Sequence, residues 1–266
     1  MKAALESRDR SHSQSLERGL AILSAFRSGR PMVGVSELAR EVGLSRSTAH
    51  RYVSTLATLG YLQKDAETQK YRLGPRVLDL GFSALNSMEL REVAAPHLRE
   101  LSDQSGYTVN MAVLDGLDIV YVERCRSPRS GQREIDLNLH VGSRLPAYCT
   151  SLGKVLLAYL PDDERATALA KIDFASRGPN TLLSEEALLV ELKKVRKDGF
   201  AMNNEELAYG LRSIAAPIFA HDRQTVAAIN LAVHRTMVSM KELGADLSSC
   251  LRRTAETISA QLGYRP

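Results

Sequence analysis

The sequence has few of the residues that hold small secreted or metal-bound domains together. Its 266 residues include three cysteines, Cys125, Cys149 and Cys250, far apart and with no CxxC pair. That spacing argues against a disulfide framework and a structural zinc site. Scattered thiols suit a reducing cytoplasm, which is the expected location. The longest apolar runs, such as Val155–Leu160 and Val226–Ile229, fall far short of the roughly 20 residues needed to cross a bilayer. Residues 1–15 are polar and charged, so no signal peptide is expected. Catalytic signatures are missing too. There is no HExxH, GxSxG or GxGxxG, and Gly153-Lys154 lacks the glycine-rich lead of a phosphate loop. Neither a metal nor a cofactor is expected. Internal repeats and low-complexity tracts are absent.

The composition that remains is that of a globular protein, 44% apolar and 25% charged, with length for two modest domains. The net charge of +4 hides an asymmetry. Residues 1–75 hold 12 Lys and Arg against 7 Asp and Glu, and the remainder holds 23 against 24. The basic excess therefore lies at the N-terminal end, where it suits phosphate contacts.

Residues 1–14 read as a flexible polar tail. Leu16, Leu20 and Leu23, with Ile22 and Phe26, recur at helical spacing up to Gly29-Arg30-Pro31. A second short helix starts near Ser36, with Leu38, Ala39 and Val42 inward, and ends at Gly43. A third follows at once, with Ser45 as N-cap and Ala49, Val53 and Leu56 inward. Two alternating segments, Tyr61–Lys64 and Lys70–Leu73, form a hairpin. Val77, Leu78, Leu80, Leu85 and Met88 mark a connecting helix over 75–90. Beyond it, residues 91–266 read as a helix to Gln104 and strands at Tyr107–Leu114, Asp118–Arg124 and Ile135–Val141. Helices follow at Ser151–Leu160 and Leu188–Lys197. Three more strands (Phe200–Asn203, Arg212–Phe219, Val226–His234) and a long helix, Lys241–Leu262, complete the chain. Strand pairs joined by tight turns, with helices between, predict an α+β domain with a largely antiparallel sheet.

Over 15–74 the order is short helix, tight glycine turn, longer helix, hairpin. This is the order of a winged helix-turn-helix. With Ala49, Val53 and Leu56 buried, the opposite face carries Arg46, Ser47, His50, Arg51 and Ser54, and Ser45 and Thr48 at the helix start join the candidate contacts. Arginines there can grip guanine, and hydroxyls can reach phosphates of double-stranded DNA. Lys64, Lys70 and Arg72 on the hairpin are candidates for backbone contacts. The competing reading is a solvated helix in an ordinary three-helix domain.

Several segments resemble the IclR family of bacterial transcription regulators. They are Ser15-Leu16-Glu17-Arg18-Gly19-Leu20, Ser36-Glu37-Leu38-Ala39 and Gly43–Thr48, then Leu145–Lys154, Gly199-Phe200, Glu205–Leu207 and Gly210–Ile214. Val113–Gly116, Ile119–Val122 and Val226–Asn230 are most similar to the branch controlling aromatic-acid catabolism by the β-ketoadipate (protocatechuate) pathway. The resemblance implies a GAF-like effector domain that binds a small organic acid. It also implies dimers through the DNA-binding domains, paired into tetramers, on a pseudopalindromic operator. Carried over residue by residue, the effector pocket would involve Cys149, Thr150, Ser151, Leu152, Asn203, Ser213 and Asn230. The free N–H groups of Ser151 and Leu152 at a helix start would favour an anion. Asn203-Asn204 stands where many relatives carry acidic residues, and Ser213 where some carry cysteine. These departures weaken small keto acids as a guide to the ligand.

Two other readings compete. Cys149 paired with His97, His140, His221 or His234 would make a hydrolase, although nothing in the sequence places them together. Alternatively, the C-terminal domain only oligomerises, through the helix Lys241–Leu262.

Overall fold

A computed structural model describes residues 13–26, 30–86, 88–127 and 137–265, with Asn86 described by its backbone alone. The chain divides into two compact units between residues 87 and 88. The smaller contains α1 (Gln14–Ser24), α2 (Val35–Glu41), α3 (Arg46–Thr58), β1 (Leu62–Lys64), β2 (Tyr71–Leu73) and α4 (Arg76–Asn86). Local chemistry sets the boundaries of these elements. The Gly34 N–H donates to the Glu37 carboxylate at 2.9 Å, opening α2. Gly43, at φ +67°, turns the chain, and the Leu44 N–H donates back to the Ala39 carbonyl at 2.8 Å. Ser45 caps α3, its hydroxyl accepting from the Thr48 N–H at 3.2 Å. β1 and β2 pair antiparallel, and Tyr71 also bridges to Val33. Ile22, Val33, Leu38, Val53, Leu62 and Tyr71 form the small core.

Two apolar faces of this unit are uncovered. Leu16 and Leu20 on α1 are 63% and 54% exposed, and Leu78, Leu80 and Phe82 on α4 are 60%, 57% and 58% exposed. The helical periodicity around Leu16, Leu20 and Leu23 is therefore wider than the strip that packs, where Ile22 is the buried residue.

The larger unit begins with α5 (Glu89–Ser105), β3 (Thr108–Asp115), β4 (Asp118–Cys125) and β5 (Arg144–Pro146). A 3-10 turn, Ala147–Cys149, leads into α6 (Ser151–Tyr159), followed by α7 (Asp162–Leu169) and α8 (Glu185–Asp198). Next come β6 (Ala201–Asn204), β7 (Leu211–Phe219) and β8 (Thr225–His234). The end is helical, with α9 (Met240–Glu242), a π segment (Leu243–Leu247) and α10 (Ser248–Gln261). The six strands form one antiparallel sheet in the order β5-β4-β3-β8-β7-β6. Alternation along the strands sends Ala112, Ala215 and Ala228 toward α6, and Met111, Ile214, Ile229 and Leu231 to the face that α5 and α10 cover. The α+β class with a largely antiparallel sheet is thus observed.

One expected strand is displaced. Within the expected Ile135–Val141 segment, residues 137–140 have no strand pairing, Val141-Gly142 is a turn, and residues 135 and 136 lie outside the described residues. The edge strand is β5 instead. Gly142, at φ +89°, lets the chain reverse, its N–H donating to the Tyr121 carbonyl at 2.7 Å, so pairing resumes only at Arg144. The helix α7 was not foreseen. Its acidic first turn after Pro161 is a start signal, but its apolar residues do not recur at helical spacing.

Helix α6 is buried over Ser151–Ala158, and this includes Lys154, which is 1% exposed. Its ammonium lies 2.7 Å from Glu206 and 3.3 Å from Glu191. Burial raises the Glu206 carboxyl above the usual carboxylate range, and the Lys154 ammonium pulls it back. Removing one partner of such a pair costs about 3–5 kcal/mol. Lys154→Met should therefore lower the unfolding free energy by about that much at pH 8. With the ammonium gone, Glu206 is held still higher, so the folded state takes up a proton that the unfolded state does not. Stability of the variant should then rise as pH falls from 8 to 5. Urea unfolding at each pH checks this, and a pH-independent loss would contradict it.

Candidate DNA-reading face and effector pocket

The outward face of α3 presents Arg46, Ser47, His50 and Arg51 to solvent, with Ser45 exposed at its start and Thr48 half-buried. The Ser45 hydroxyl lies 3.1 Å from that of Ser47 and 2.8 Å from that of Thr48, so these three hydroxyls form one cluster over the helix N-terminus. Neither Arg46 nor Arg51 pairs with a described carboxylate, which leaves both charges available. Thr55 and Thr58 continue the same exposed face. Their spacing from Arg51 marks them in the sequence, where the expected face ends at Ser54, which is half-buried beside His50. The hairpin does not keep its basic residues together. Arg72 shares the outer face with Gln63, whereas Lys64 lies on the core-facing side with Leu62 and Tyr71, at its exposed end. Lys70 is exposed at the start of the return strand.

The larger unit holds a small pocket that is open to solvent. Its floor is the face of the sheet that α6 also covers. Antiparallel register sets two polar rows on this floor. One runs Asn203, Ser213, Ala232, Thr108, and the other Ala215, Asn230, Asn110, Arg124. Within the second row, Arg124 Nη1 donates to Asn110 Oδ1 at 2.7 Å, and Asn110 Nδ2 donates to Asn230 Oδ1 at 2.8 Å. Leu137, Leu139, Leu207, Leu211, Val233 and Met237 supply apolar lining, with Tyr107, Tyr121 and His234. Burial pushes the Tyr121 phenol up to about 12, so it stays neutral.

Four of the seven expected pocket residues, Thr150, Asn203, Ser213 and Asn230, line this space. Ser151 lies behind it, its hydroxyl 2.6 Å from that of Ser213. Thr150 is also the cap of α6, accepting from the Gly153 N–H at 3.0 Å. Asn203 is largely committed elsewhere, because its Nδ2 donates to the Cys149 carbonyl at 2.6 Å and its Oδ1 accepts from the Glu206 N–H at 3.3 Å. The side chains of Cys149 and Leu152 point into the apolar core and do not line the pocket. Asn110 and Arg124 were missed. The alternation of β3 and β4 shows that each lies in a strand, but only the register brings them together.

Among the described residues no histidine hydrogen-bonds to Cys149. Its thiol points to the Pro146 carbonyl, and burial pushes its pKa up to about 12. A buried thiol so far from ionising is a poor nucleophile, so the geometry gives the hydrolase reading no support. Among the described residues no cluster of metal-ligating side chains occurs, and no helix is long and apolar enough to cross a membrane.

A helix-turn-helix unit joined to an α+β domain that holds a pocket with a polar floor and apolar walls defines a DNA-binding regulator with an effector domain. Residues 15–66 match the IclR helix-turn-helix domain, and residues 82–260 match the bacterial transcriptional regulator IclR C-terminal domain. The chain is 38% identical over 229 residues to the Pca regulon regulatory protein of Pseudomonas putida, covering 86% of this chain and 77% of that one. It is 34% identical over 254 residues to the p-hydroxybenzoate hydroxylase transcriptional activator of Acinetobacter baylyi, with coverage of 95% and 93%. An IclR homologue from Microbacterium hydrocarbonoxydans, crystallised with 4-hydroxybenzoate, superposes with a TM-score of 0.79 at 27% identity, covering 93% of this chain and 98% of its own. The chain belongs to the IclR family of bacterial transcriptional regulators.

If α3 reads the operator, Arg51→Ala should weaken binding by about 1–3 kcal/mol. A flattening of the salt dependence by about one unit would mark Arg51 as a phosphate contact, and an unchanged slope with relaxed sequence preference a base contact. Fluorescence anisotropy on the operator across a salt series measures both, and unchanged affinity and slope would exclude this face.

Proposed function

We propose that this regulator senses a small aromatic carboxylic acid in the sheet-floored pocket and binds its operator as a dimer. The observation that carries the ligand class is the pairing of two kinds of wall. The row Arg124, Asn110, Asn230 places a guanidinium and two amides on one side, and leucines, Val233, Met237 and two tyrosines supply apolar and aromatic surface. A planar ring bearing one carboxylate uses both walls. The N–H groups that open α6 beside Thr150 add favourable potential for an anion. The relatives named for Pca and p-hydroxybenzoate control support the same class.

On this reading, Ser45, Arg46, Ser47, Thr48, His50 and Arg51 enter the major groove, with Lys64, Lys70 and Arg72 on the flanking backbone. Residues 75–90 serve as the connection between the DNA-binding region 15–74 and the effector region 91–266. The exposed leucines of α1 and α4 are the faces on which a second copy would pack.

Two measurements test this. At a free concentration a hundredfold above Kd, a bound acid stabilises its domain by about 2.7 kcal/mol, which should raise Tm by about 5 °C or more. In a thermal-shift panel, 4-hydroxybenzoate or 3,4-dihydroxybenzoate should produce that shift, and dicarboxylic and small keto acids should not. A flat panel with protein that still binds DNA would favour a C-terminal domain that only oligomerises. Separately, Leu20→Glu combined with Phe82→Glu should convert dimer to monomer in light scattering and reduce operator affinity at least tenfold. A stable dimer in that variant would place the interface elsewhere.

A further inference from the structure

The three side chains Arg124, Asn110 and Asn230 sit directly across from one another on β4, β3 and β8, and their hydrogen bonds have a direction. A guanidinium has donors only. Arg124 therefore requires Asn110 to offer its oxygen, and the 2.7 Å contact is made to Oδ1. That choice leaves the Asn110 NH2 on the other side, where it donates to Asn230 Oδ1 at 2.8 Å. Asn230 is in turn left with its oxygen occupied. Its Nδ2 has no hydrogen-bond partner among the described residues, and the residue is 4% exposed and lines the pocket. An amide viewed alone can face either way round, with donor or acceptor toward a ligand. Here a charge two residues away along the row settles the matter.

We propose that Arg124 and Asn110 are positioning residues that lock the Asn230 amide with its NH2 toward the pocket, so that the site accepts an oxygen acceptor such as a carboxylate and disfavours a donor. This deepens the aromatic-acid reading of the pocket and rests on it for the ligand class. The orientation of Asn230 follows from the row itself and holds with no ligand present. Asn110 is 1% exposed, so water does not compete for its two bonds. The opposite row does not carry the same constraint. Ser213 and Ser151 share one hydroxyl–hydroxyl bond in which either oxygen can be the donor, so that side adapts to the ligand.

The test asks whether a donor-only partner is what fixes the amide. Arg124→Lys keeps a group with donors alone, whereas Arg124→Gln offers Asn110 either a donor or an acceptor and Arg124→Met offers neither. Full-length protein selectively labelled with 15N-asparagine reports the Asn230 side-chain amide directly, with Asn230→Ser assigning the signal. In ligand-free protein the Asn230 resonances should stay in place in Arg124→Lys and shift in Arg124→Gln and Arg124→Met. Affinity for 4-hydroxybenzoate, relative to 4-hydroxybenzamide, should fall about tenfold further in the Met variant than in the Lys variant, the effect of one misdirected hydrogen bond. Asn230 signals unmoved in all three variants, or moved equally in all three, would overturn the relay. If those signals respond as expected but the wild-type protein binds no aromatic acid, the relay stands and the effector assignment falls.

Discussion

An ammonium ion does not enter a protein interior unless carboxylates follow it, and Lys154 on α6 pairs with Glu191 of α8 and with Glu206 of the segment after β6. On the sheet side of α6 the contact is built from small residues, because Ala112, Ala215 and Ala228 face the helix. A Cβ at Gly153 would come within 2.2 Å of the Ala147 carbonyl oxygen, so glycine there lets the 3-10 turn pack against the helix it leads into. Glycine and lysine adjacent in one motif thus do different jobs. The first admits the entry turn, and the second fixes where the carboxylates lie. Glu206 is held from three directions, by Lys154 at its carboxylate, by Thr181, whose hydroxyl donates to its carbonyl at 2.6 Å, and by Asn203, which accepts from its N–H. The segment between β6 and β7 is anchored by these bonds, and from it Leu207 reaches the pocket.

The pocket inherits its chemistry from that arrangement. Where α6 covers the sheet, the floor is alanine and closes. Beyond the start of the helix the same sheet face turns polar and the space opens. Polar groups on a sheet interior are stable when paired, and each polar side chain named in the two rows has at least one partner, though not at every atom. Asn203 spends its oxygen and one N–H on backbone groups, so its part is to hold the pocket wall together. Asn230 and Ser213 keep capacity toward the cavity. The family-based expectation gave Asn203 and Asn230 equal standing. Their hydrogen-bond partners separate them, one as a tie between elements and the other as part of the pocket lining, where the proposed ligand would meet it.

Much of this was legible in the residues. Gly43 and Ser45 announce the turn and the cap of α3 because their effects are local, within four residues along the chain. The strands β3, β4, β7 and β8 show in their apolar character and turn residues. Pairing across the chain was not legible. Asn110 meets Arg124 fourteen residues on and Asn230 a hundred and twenty residues on. Alternation tells which face a residue takes but not which residue stands opposite, so the main polar row of the pocket was half seen, through Asn230 alone. The strand expected at Ile135–Val141 failed for a related reason. Its apolar residues suggested pairing, but the turn at Gly142 sets where β4 can accept a neighbour. Periodicity also overstated burial in α1 and α4, because it finds an apolar face without saying what covers it.

Those uncovered faces bear on how the protein can read DNA at all. A single α3 presents two arginines, a histidine and a few hydroxyls, a set that suits a half-site. Each good base contact discriminates by about 1–3 kcal/mol, whereas separating an operator from bulk DNA takes about 4–10 kcal/mol. One copy of this helix reaches the lower part of that range at best. A two-fold pair sums two such contributions on one DNA molecule and makes their spacing part of the recognition. Five large apolar side chains are exposed on α1 and α4, in the unit that carries α3, and they suit the proposed two-fold interface. In such a pair the same coupling would give an effector its leverage. A ligand that binds one arrangement of the pair better than another acts on both reading helices together, and its effect is bounded by the difference between its affinities for the two arrangements. A site whose donors are fixed in advance can supply such a difference from a single carboxylate.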